Sequence, residues 1–444
     1  MSARDVALQV ARDVFPAGER SAQERGAQEA LDYRLNKAPL DARDRAFATM
    51  LAFGSIKMRR TLDWYLKPYV GDRDKTLPPV IAEILRLAVF ELRFASSGVH
   101  AVVSEWVSLA KKYGHRGTAG LVNAVLRSFL RDDPKTPQPA DFENEDDYLG
   151  TAFSYPTWLV RQWREVFGGE RLETMLQAGN APAQSAVVFN RTKASADNVI
   201  AWFTARGAQA EPSGLAEDCV LVSDGALARA GEAQSEGAWW VQSESSALVV
   251  DVLNPQGGEK IADACSGRGS KALQIAARMH GEGTLIGIER DAHKVAALQR
   301  RAHHAGLALA TVLGDATLAV PAERFDRVLI DAPCSGTGVV GRHPEARWRK
   351  RPGDGERLAH TQRALLEAFS SRILPGGVLV YAVCSADPRE TVEVMETFSR
   401  GSALQRGLIP GALGEFQTAA GDVLVPPGIA GRDGFFIARL EAQA

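Results

Sequence analysis

Over residues 1–135, apolar positions return every three or four places, the period of an amphipathic helix. RDRAFATMLAFGSIKMRRTLDWYL (43–66), VIAEILRLAVFELRF (80–94), AVVSEWVSLAKKY (101–113) and GTAGLVNAVLRSFLR (117–131) all carry it, with breakers at Leu77-Pro78-Pro79 and Ser97-Gly98 between them. This predicts an all-α N-terminal domain. RDDPKTPQPADFENEDD (131–147) then mixes prolines with acids, and a linker is expected over 136–154. Helical PTWLVRQWREVF and ERLETMLQAGN, strand-like AVVFN and helical ADNVIAWFTARG predict a small α+β module over 155–235. From residue 236 to 444 short apolar runs alternate with helical patterns, the signature of a parallel, doubly wound α/β sheet. Its expected strands are KIADAC, TLIGIE, ATVLGDA, RVLIDAP and VLVYAVC, and its helices KALQIAARMH, HKVAALQRRAHHAG and RLAHTQRALLEAFSSRIL.

The length of 444 residues agrees with several cores, and 45% hydrophobic with 24% charged residues is the composition of a soluble globular chain. No apolar run approaches the ~20 residues of a membrane span. MSARDVALQVARDVF carries acids and lacks a continuous apolar segment, so no signal peptide and no membrane are expected, and the location expected is cytoplasmic. Cys219, Cys265, Cys334 and Cys384 form no CxxC pair, so no metal site is expected and the thiols should be free. The net charge of −2 points to no polyanion by itself. Its distribution says more: residues 1–135 hold 22 Lys and Arg against 16 Asp and Glu, a basic head on an acidic remainder.

Three successive strands of the α/β region end in an acid. The first ends Asp263-Ala264-Cys265-Ser266-Gly267-Arg268-Gly269-Ser270-Lys271 and runs straight into a helix. Glycines let backbone N–H groups approach a ligand, and a helix N-terminus favours negative charge. The second strand ends in Glu289, where an acid binds ribose hydroxyls in nucleotide folds, and the third ends Gly314-Asp315. Either acid alone is better explained as a solvated strand end or a helix cap. Together with the glycine turn they favour a nucleoside-containing ligand. The full GxGxxG is missing, since Ala272 stands three places after Gly269, so S-adenosylmethionine is as compatible as a dinucleotide.

VLIDAPCSGTG places Asp331 and Cys334 at the end of the fourth strand, and VLVYAVCSADP places Cys384 at the end of the last. Free cysteines commonly fill space in cores, which suffices for Cys219. Cys265, inside the glycine turn, suits a structural or backbone-contact role. The polar, flexible residues after Cys334 and Cys384 point to chemistry. Two thiols beside a methyl donor suit methylation of cytosine at carbon 5, a poor nucleophile until a thiolate adds to carbon 6. A carboxylate such as Asp331 can hold the exocyclic amine and ring nitrogen of the base, which must first leave its stack.

At DAPCSGTGVVGRHPEARW, PGGVLVYAVCS and PGIAGRDGFFIARL the chain resembles the RNA cytosine-5 methyltransferases, and within them the bacterial type that modifies 16S ribosomal RNA. RDRAFATMLAFGSIKMRRTLDWYL and LVNAVLRSFLR are similar to that type's NusB-like RNA-binding domain, and WLVRQWREVFG to the start of its small module. The resemblance implies a multidomain enzyme: an all-α NusB-like N-terminal domain, a small α+β module, and a C-terminal α/β Rossmann-like class I S-adenosylmethionine-dependent methyltransferase domain. It implies Cys384 as nucleophile, Cys334 as the group assisting release, Asp331 on the target cytosine and near the cofactor, and Lys271 reaching base or cofactor. The cofactor site implied is Cys265, Ser266, Gly267, Arg268, Gly269, Ser270 and Lys271 with Glu289 at the ribose, Asp315 at the adenine edge and Asp331. Partners implied are 16S ribosomal RNA before full subunit assembly, with the protein a monomer. The usual turn DACAAPGGKT here reads DACSGRGSKA, with Arg268 for proline and Ser270 for glycine. The same chemistry on another RNA such as tRNA, or a non-catalytic assembly factor on this fold, are the alternatives. RHPEARWRKRP (342–352), basic and Trp-bearing, is expected to contact RNA phosphates.

Overall fold

The computed structural model describes residues 1–16, 25–71, 77–223, 225–229, 235–409 and 413–443. They form two compact units, Met1–Asn180 with His343–Arg349, and Ala181–Arg342 with Lys350–Ala444. No helix among the described residues is long and apolar enough to cross a membrane.

The first unit opens with α1 (Ala3–Val14), α2 (Ala27–Lys37), α3 (Ala42–Lys57), α4 (Arg59–Val70), α5 (Pro79–Phe94), α6 (Val99–Tyr113) and α7 (Arg116–Asp132). The breakers read in the sequence become helix ends. Pro79 is the first residue of α5, where its missing N–H costs nothing. Asp41 caps α3 by accepting from the Asp44 N–H at 2.8 Å. One core joins these helices through residues such as Leu51, Ile84, Trp106, Val122 and Leu126. Inside it Glu91, fully buried, accepts from Arg4 Nε at 2.9 Å and from Trp106 Nε1 at 2.8 Å.

The stretch expected as a linker is ordered. It holds a 3-10 turn at Pro139–Asp141 and α8 (Glu145–Ala152), followed by α9 (Thr157–Phe167) and α10 (Gly169–Ala178) in the same unit. The prolines and acids that suggested a linker have local jobs. Pro139 starts the turn, and Glu145, Asp146 and Asp147 occupy the first turn of α8, where the helix dipole favours them. Arg60 pins the segment by donating to the Tyr155 carbonyl at 2.8 Å and to Asp147 at 3.1 Å. By their contacts residues 155–180 group with the preceding helices in the first unit.

The second unit begins with β1 (Ser185–Phe189), α11 (Ala196–Thr204), β2 (Ala210–Pro212), β3 (Cys219–Val222), α12 (Ala226–Arg229) and β4 (Trp239–Val241). The strands make an antiparallel sheet in the order β2-β3-β1-β4, with Cys219 buried in packing. Next come α13 (Glu244–Leu253), β5 (Lys260–Asp263), α14 (Ser270–Arg278), β6 (Thr284–Glu289), α15 (Ala292–Ala305), β7 (Ala310–Leu313) and β8 (Phe325–Asp331). The chain then passes through α16 (Ala346–Arg349), which belongs to the first unit, to α17 (Asp354–Ser370), β9 (Ile373–Val383), α18 (Val392–Ser399), β10 (Gln405–Arg406), β11 (Val423–Val425) and β12 (Phe435–Glu441).

All five strands expected here are present, as β5 to β9, in an eight-stranded sheet ordered β10-β12-β9-β8-β5-β6-β7 with β11 also on β12. β5 pairs in parallel with β6 on one side and β8 on the other. The order reverses direction there, which opens a crevice at the carboxyl ends of these strands. β12, antiparallel to β9, was not anticipated: FFIARL is nearly all buried and shows little alternation.

The basic segment expected to reach RNA phosphates is turned inward in the first unit. Arg347 is fully buried; it donates to the carbonyls of Ser154 (3.2 Å) and Gly179 (2.8 Å), to Asn180 Oδ1 (2.7 Å) and to the Tyr155 hydroxyl (2.9 Å). Trp348 Nε1 donates to the Ile56 carbonyl at 2.7 Å, and Arg349 to the Val14 and Arg25 carbonyls, both at 2.6 Å. These three side chains are structural.

Candidate active site

After β5 the chain turns through residues 264–269 into α14. Gly269 sits at φ +90°, and a side chain there would overlap Leu298, so this position demands glycine. Gly267, at φ +57°, is left-handed as well. The two departures in the turn fall where no such demand exists. Arg268 is exposed and its carbonyl accepts from Arg301 at 2.9 Å. Ser270 is the first residue of α14 and its hydroxyl accepts from the same guanidinium at 3.1 Å. Ser266 fastens the turn to β6: its N–H and Oγ both donate to the Ile288 carbonyl, at 2.9 and 3.1 Å.

Glu289, at the end of β6, accepts from the Gly267 N–H at 3.0 Å and the Asp291 N–H at 2.9 Å, one bond per oxygen. Each carboxylate oxygen has a further lone pair, which leaves Glu289 able to take two hydroxyls. Asp315 follows β7, whose Leu313 pairs with Glu289. It is exposed and caps its own turn, accepting from the Thr317 N–H at 2.9 Å and hydroxyl at 2.7 Å, bonds that hold its carboxyl below the usual range. It therefore caps a turn at the carboxyl end of β7.

β8 and β9 run in parallel with Asp331 opposite Ala382. Cys334 and Cys384 lie three and two residues beyond that pair, and their Sγ atoms are 3.3 Å apart. Lys271, in the first turn of α14, donates to Asp331 Oδ2 at 2.6 Å. Burial pulls its ammonium down, but Asp331 and the charges of Cys384 and Asp263 outweigh that and leave it raised, so Lys271 stays charged. The Cys384 contact pushes the Cys334 thiol well up, and burial, Glu390 and Asp331 add to it, so Cys334 keeps its proton. Cys265 is also pushed up, by burial and then by Asp263, Asp331 and Glu289; it is a neutral lining thiol.

Asp263 is the acid among the strand ends to which the sequence assigned no role. Its carboxylate is buried and neither oxygen has a well-formed hydrogen bond. Burial and then Asp331 push it up to about 7, with Lys271 and the Cys265 amide pulling the other way. Buried polar groups are seldom left unpartnered, so this carboxylate is poised for a cation. Its folded pKa lies above the unfolded 3.8, so the stability it contributes is present below about pH 4 and is lost as pH rises through 7. In ligand-free protein Asp263→Asn should flatten the fall in thermal midpoint between about pH 4 and 7. It should add about 1–4 kcal/mol at pH 8, because each tenfold change in proton affinity is worth about 1.4 kcal/mol. Calorimetric scans with identical pH slopes for both proteins would dismiss this.

A glycine turn tied to Glu289, a buried strand-end carboxylate and two touching thiols lie at the carboxyl ends of strands of one sheet. The chain matches the models of three families: 16S rRNA methyltransferase RsmB/F over residues 250–441, NusB over 1–131, and the RsmF/B-like ferredoxin-like domain over 155–226. It is 33% identical over 419 residues to the probable ribosomal RNA small subunit methyltransferase B of Bacillus subtilis, covering 91% of this chain and 92% of that one. The chain belongs to the 16S rRNA methyltransferase RsmB/F family. It is also 31% identical to the ribosomal RNA small subunit methyltransferase B of Thermus thermophilus, over 93% of both chains. The crystal structure of PH0851 shares the fold, with a TM-score of 0.83 at 23% identity over 99% of both chains. Membership brings with it the expected cofactor, S-adenosylmethionine.

Of the residues expected from the sequence, the structure joins Lys271 to Asp331 and Cys334 to Cys384, and ties Ser266, Gly267 and Glu289 together at the ends of β5 and β6. Arg268 stands apart as an exposed side chain. Two acids beside these residues were given no role from the sequence. Asp263 was visible as a strand-end acid. Glu390, behind the thiols, gave no sign in sequence.

Proposed function

We propose that this chain methylates carbon 5 of a cytosine in 16S ribosomal RNA through a covalent cysteine–cytosine intermediate. The observation that carries the reading is the 3.3 Å approach of Cys334 and Cys384 beside the Lys271–Asp331 pair. When bound, S-adenosylmethionine supplies the methyl group as an electrophile. The residues present suit it: Gly267 leaves open space beside the backbone for it, Glu289 has lone pairs for ribose hydroxyls, and the Asp263 carboxylate, which no side chain bonds, takes positive charge. Asp315 is at the adenine edge, with Cys265, Ser266, Arg268 and Ser270 completing the turn.

Cys384 is the attacking sulfur. Cys334, which holds its proton, donates to Cys384 Sγ and leaves that sulfur free to attack, with the charged Lys271 nearby. The sulfur lone pair forms the S–C6 bond while Asp331 holds the base, and the ring electrons move to carbon 5, which takes the methyl. For release, the carbon-5 proton passes to Cys334 as Cys334 gives its own proton to the departing Cys384 sulfur. The C5=C6 bond re-forms as C6–S breaks. The target base must be turned out of its stack to reach these thiols, and the NusB-like head supplies RNA contacts. The protein acts in the cytoplasm as a monomer on RNA not yet fully assembled into the subunit.

Purified protein incubated with S-adenosylmethionine and protein-free 16S RNA should leave one cytosine resistant to bisulfite conversion. Full conversion of every cytosine, with S-adenosylmethionine bound, overturns the reading. Glu289→Ala should weaken S-adenosylmethionine binding by about 1–3 kcal/mol, the cost of a lost buried polar partner. Calorimetry giving an unchanged Kd for the folded variant would remove Glu289 from the site.

A further inference from the structure

Behind the two thiols lies a buried polar network that the chemistry above does not use. Its centre is Glu390, fully buried in the 3-10 turn Pro388–Glu390. No cation is paired with it among the described residues; the adjacent Arg389 makes its ion pair with Asp387 instead. Its carboxylate is met by neutral donors. Oε1 accepts from the Ser335 N–H at 2.8 Å and from Gln362 Nε2 at 3.1 Å. Oε2 accepts from the Ser385 hydroxyl at 2.6 Å and from the Ser335 hydroxyl. The two hydroxyls are themselves 3.1 Å apart, and Ser385 Oγ lies 3.1 Å from Thr337 Oγ1.

The identity of these donors is what matters. Ser335 directly follows Cys334, and Ser385 directly follows Cys384. Gln362, on α17, also donates to the carbonyl of Pro333, the residue before Cys334, at 3.0 Å. The loop after Cys334 is laced to the other strand end again where the Gly338 N–H donates to the Cys384 carbonyl at 3.1 Å. A lone buried carboxylate is expensive to keep. Ionised, it is acceptor-only and binds every donor aimed at it, so here it draws two strand ends onto one point. Strand pairing alone fixes Asp331 against Ala382 but leaves the following loops free to swing.

We infer that Glu390 is a positioning residue: it clamps the backbones of both cysteine loops and so sets the separation of the Cys334 and Cys384 sulfurs. This rests on the two-thiol reading above. Charge is secondary to the pattern of bonds. In Glu390→Gln the amide oxygen can keep the Ser335 N–H and Gln362 contacts, while its NH2 donates to hydroxyls that rotate to accept. Glu390→Ala removes all four bonds. Ser385→Ala removes one arm and leaves the carboxylate three donors.

Three readouts test this in the full chain: single-turnover methylation of 16S RNA, S-adenosylmethionine Kd, and the rate at which dibromobimane bridges the two thiols. Glu390→Ala should slow methylation about 100-fold, the scale of an ångström's misplacement. It should slow bridging in parallel, with Kd within about twofold of wild type. Ser385→Ala should do the same to a smaller degree, about 10-fold, and Glu390→Gln should restore both rates to within about threefold of wild type. Wild-type methylation or bridging by Glu390→Ala overturns the inference. So does a loss of S-adenosylmethionine affinity and thermal midpoint that fully accounts for the lost rate, since that is a merely structural role. If Glu390→Ala does not fold, wild-type rates in Ser385→Ala overturn it instead. Absence of any Cys384-dependent RNA adduct sinks the two-thiol reading itself, whereas normal adducts with insensitive Glu390 and Ser385 variants sink the positioning role alone.

Discussion

Cys384→Ala should abolish methyl transfer and form no covalent RNA species, whereas Cys334→Ala should methylate one equivalent of RNA and then stall as an adduct. The asymmetry follows from the geometry. The sulfurs touch at 3.3 Å, but their surroundings differ. Cys334 is pushed up by Cys384, by burial and by Glu390 and Asp331, and so keeps its proton, which fits the proposed proton carrier; Lys271 lies where its charge interacts with Cys384. Without the Cys384 sulfur no bond to carbon 6 forms, carbon 5 remains a poor nucleophile, and the loss exceeds the roughly 10²–10⁴-fold typical of removing a general acid or base. Without the Cys334 sulfur the bond forms and the methyl arrives, but nothing takes the carbon-5 proton or protonates the leaving sulfur. A denaturing gel of protein with labelled RNA and S-adenosylmethionine should show a slow-migrating band for Cys334→Ala only. A band from Cys384→Ala alone would reverse the two roles, and a band from neither would end covalent catalysis.

The parts of this molecule that could be read from sequence are those in which one residue type has one physical use. The strands β5, β6, β8 and β9 are buried apolar runs bounded by turn residues, and the ligand site had to lie beyond their ends. The glycine at 269 announces a backbone that no other residue adopts easily. What escaped was decided by partners distant in the chain. Pro139 and the acids of α8 look like a linker until Arg60 is placed against Asp147 and Tyr155. Glu390 is one acid among many in PRETVEVMET until Ser335, 55 residues earlier, is brought onto its carboxylate. Asp263 was seen as a strand end, but its burial without a side-chain partner is a property of the fold.

Distant partners also decide the role of the basic segment after the Cys334 loop, where the expected effect on stability is large. Arg347→Ala should destabilise the first unit by about 3–5 kcal/mol, since several buried acceptors lose their donor at about 1–3 kcal/mol each and a cavity is left. Arg347 is fully buried and its guanidinium makes close bonds to two carbonyls, Asn180 Oδ1 and the Tyr155 hydroxyl. It also lies over the Tyr155 ring at 3.8 Å, and Tyr155 is itself fully buried. Truncation leaves the Ser154 and Gly179 carbonyls without a donor and opens a cavity the size of an arginine side chain, two costs that add. Arg347→Lys keeps the charge but supplies a point donor in place of a planar fork, so it should recover less than half of the loss. RNA affinity measured well below the unfolding temperature should fall by less than about twofold, and its dependence on salt should not change, because no phosphate contact is removed. A variant as stable as wild type, or one with a shallower salt dependence of RNA binding, would return Arg347 to the RNA surface that its sequence neighbourhood suggested.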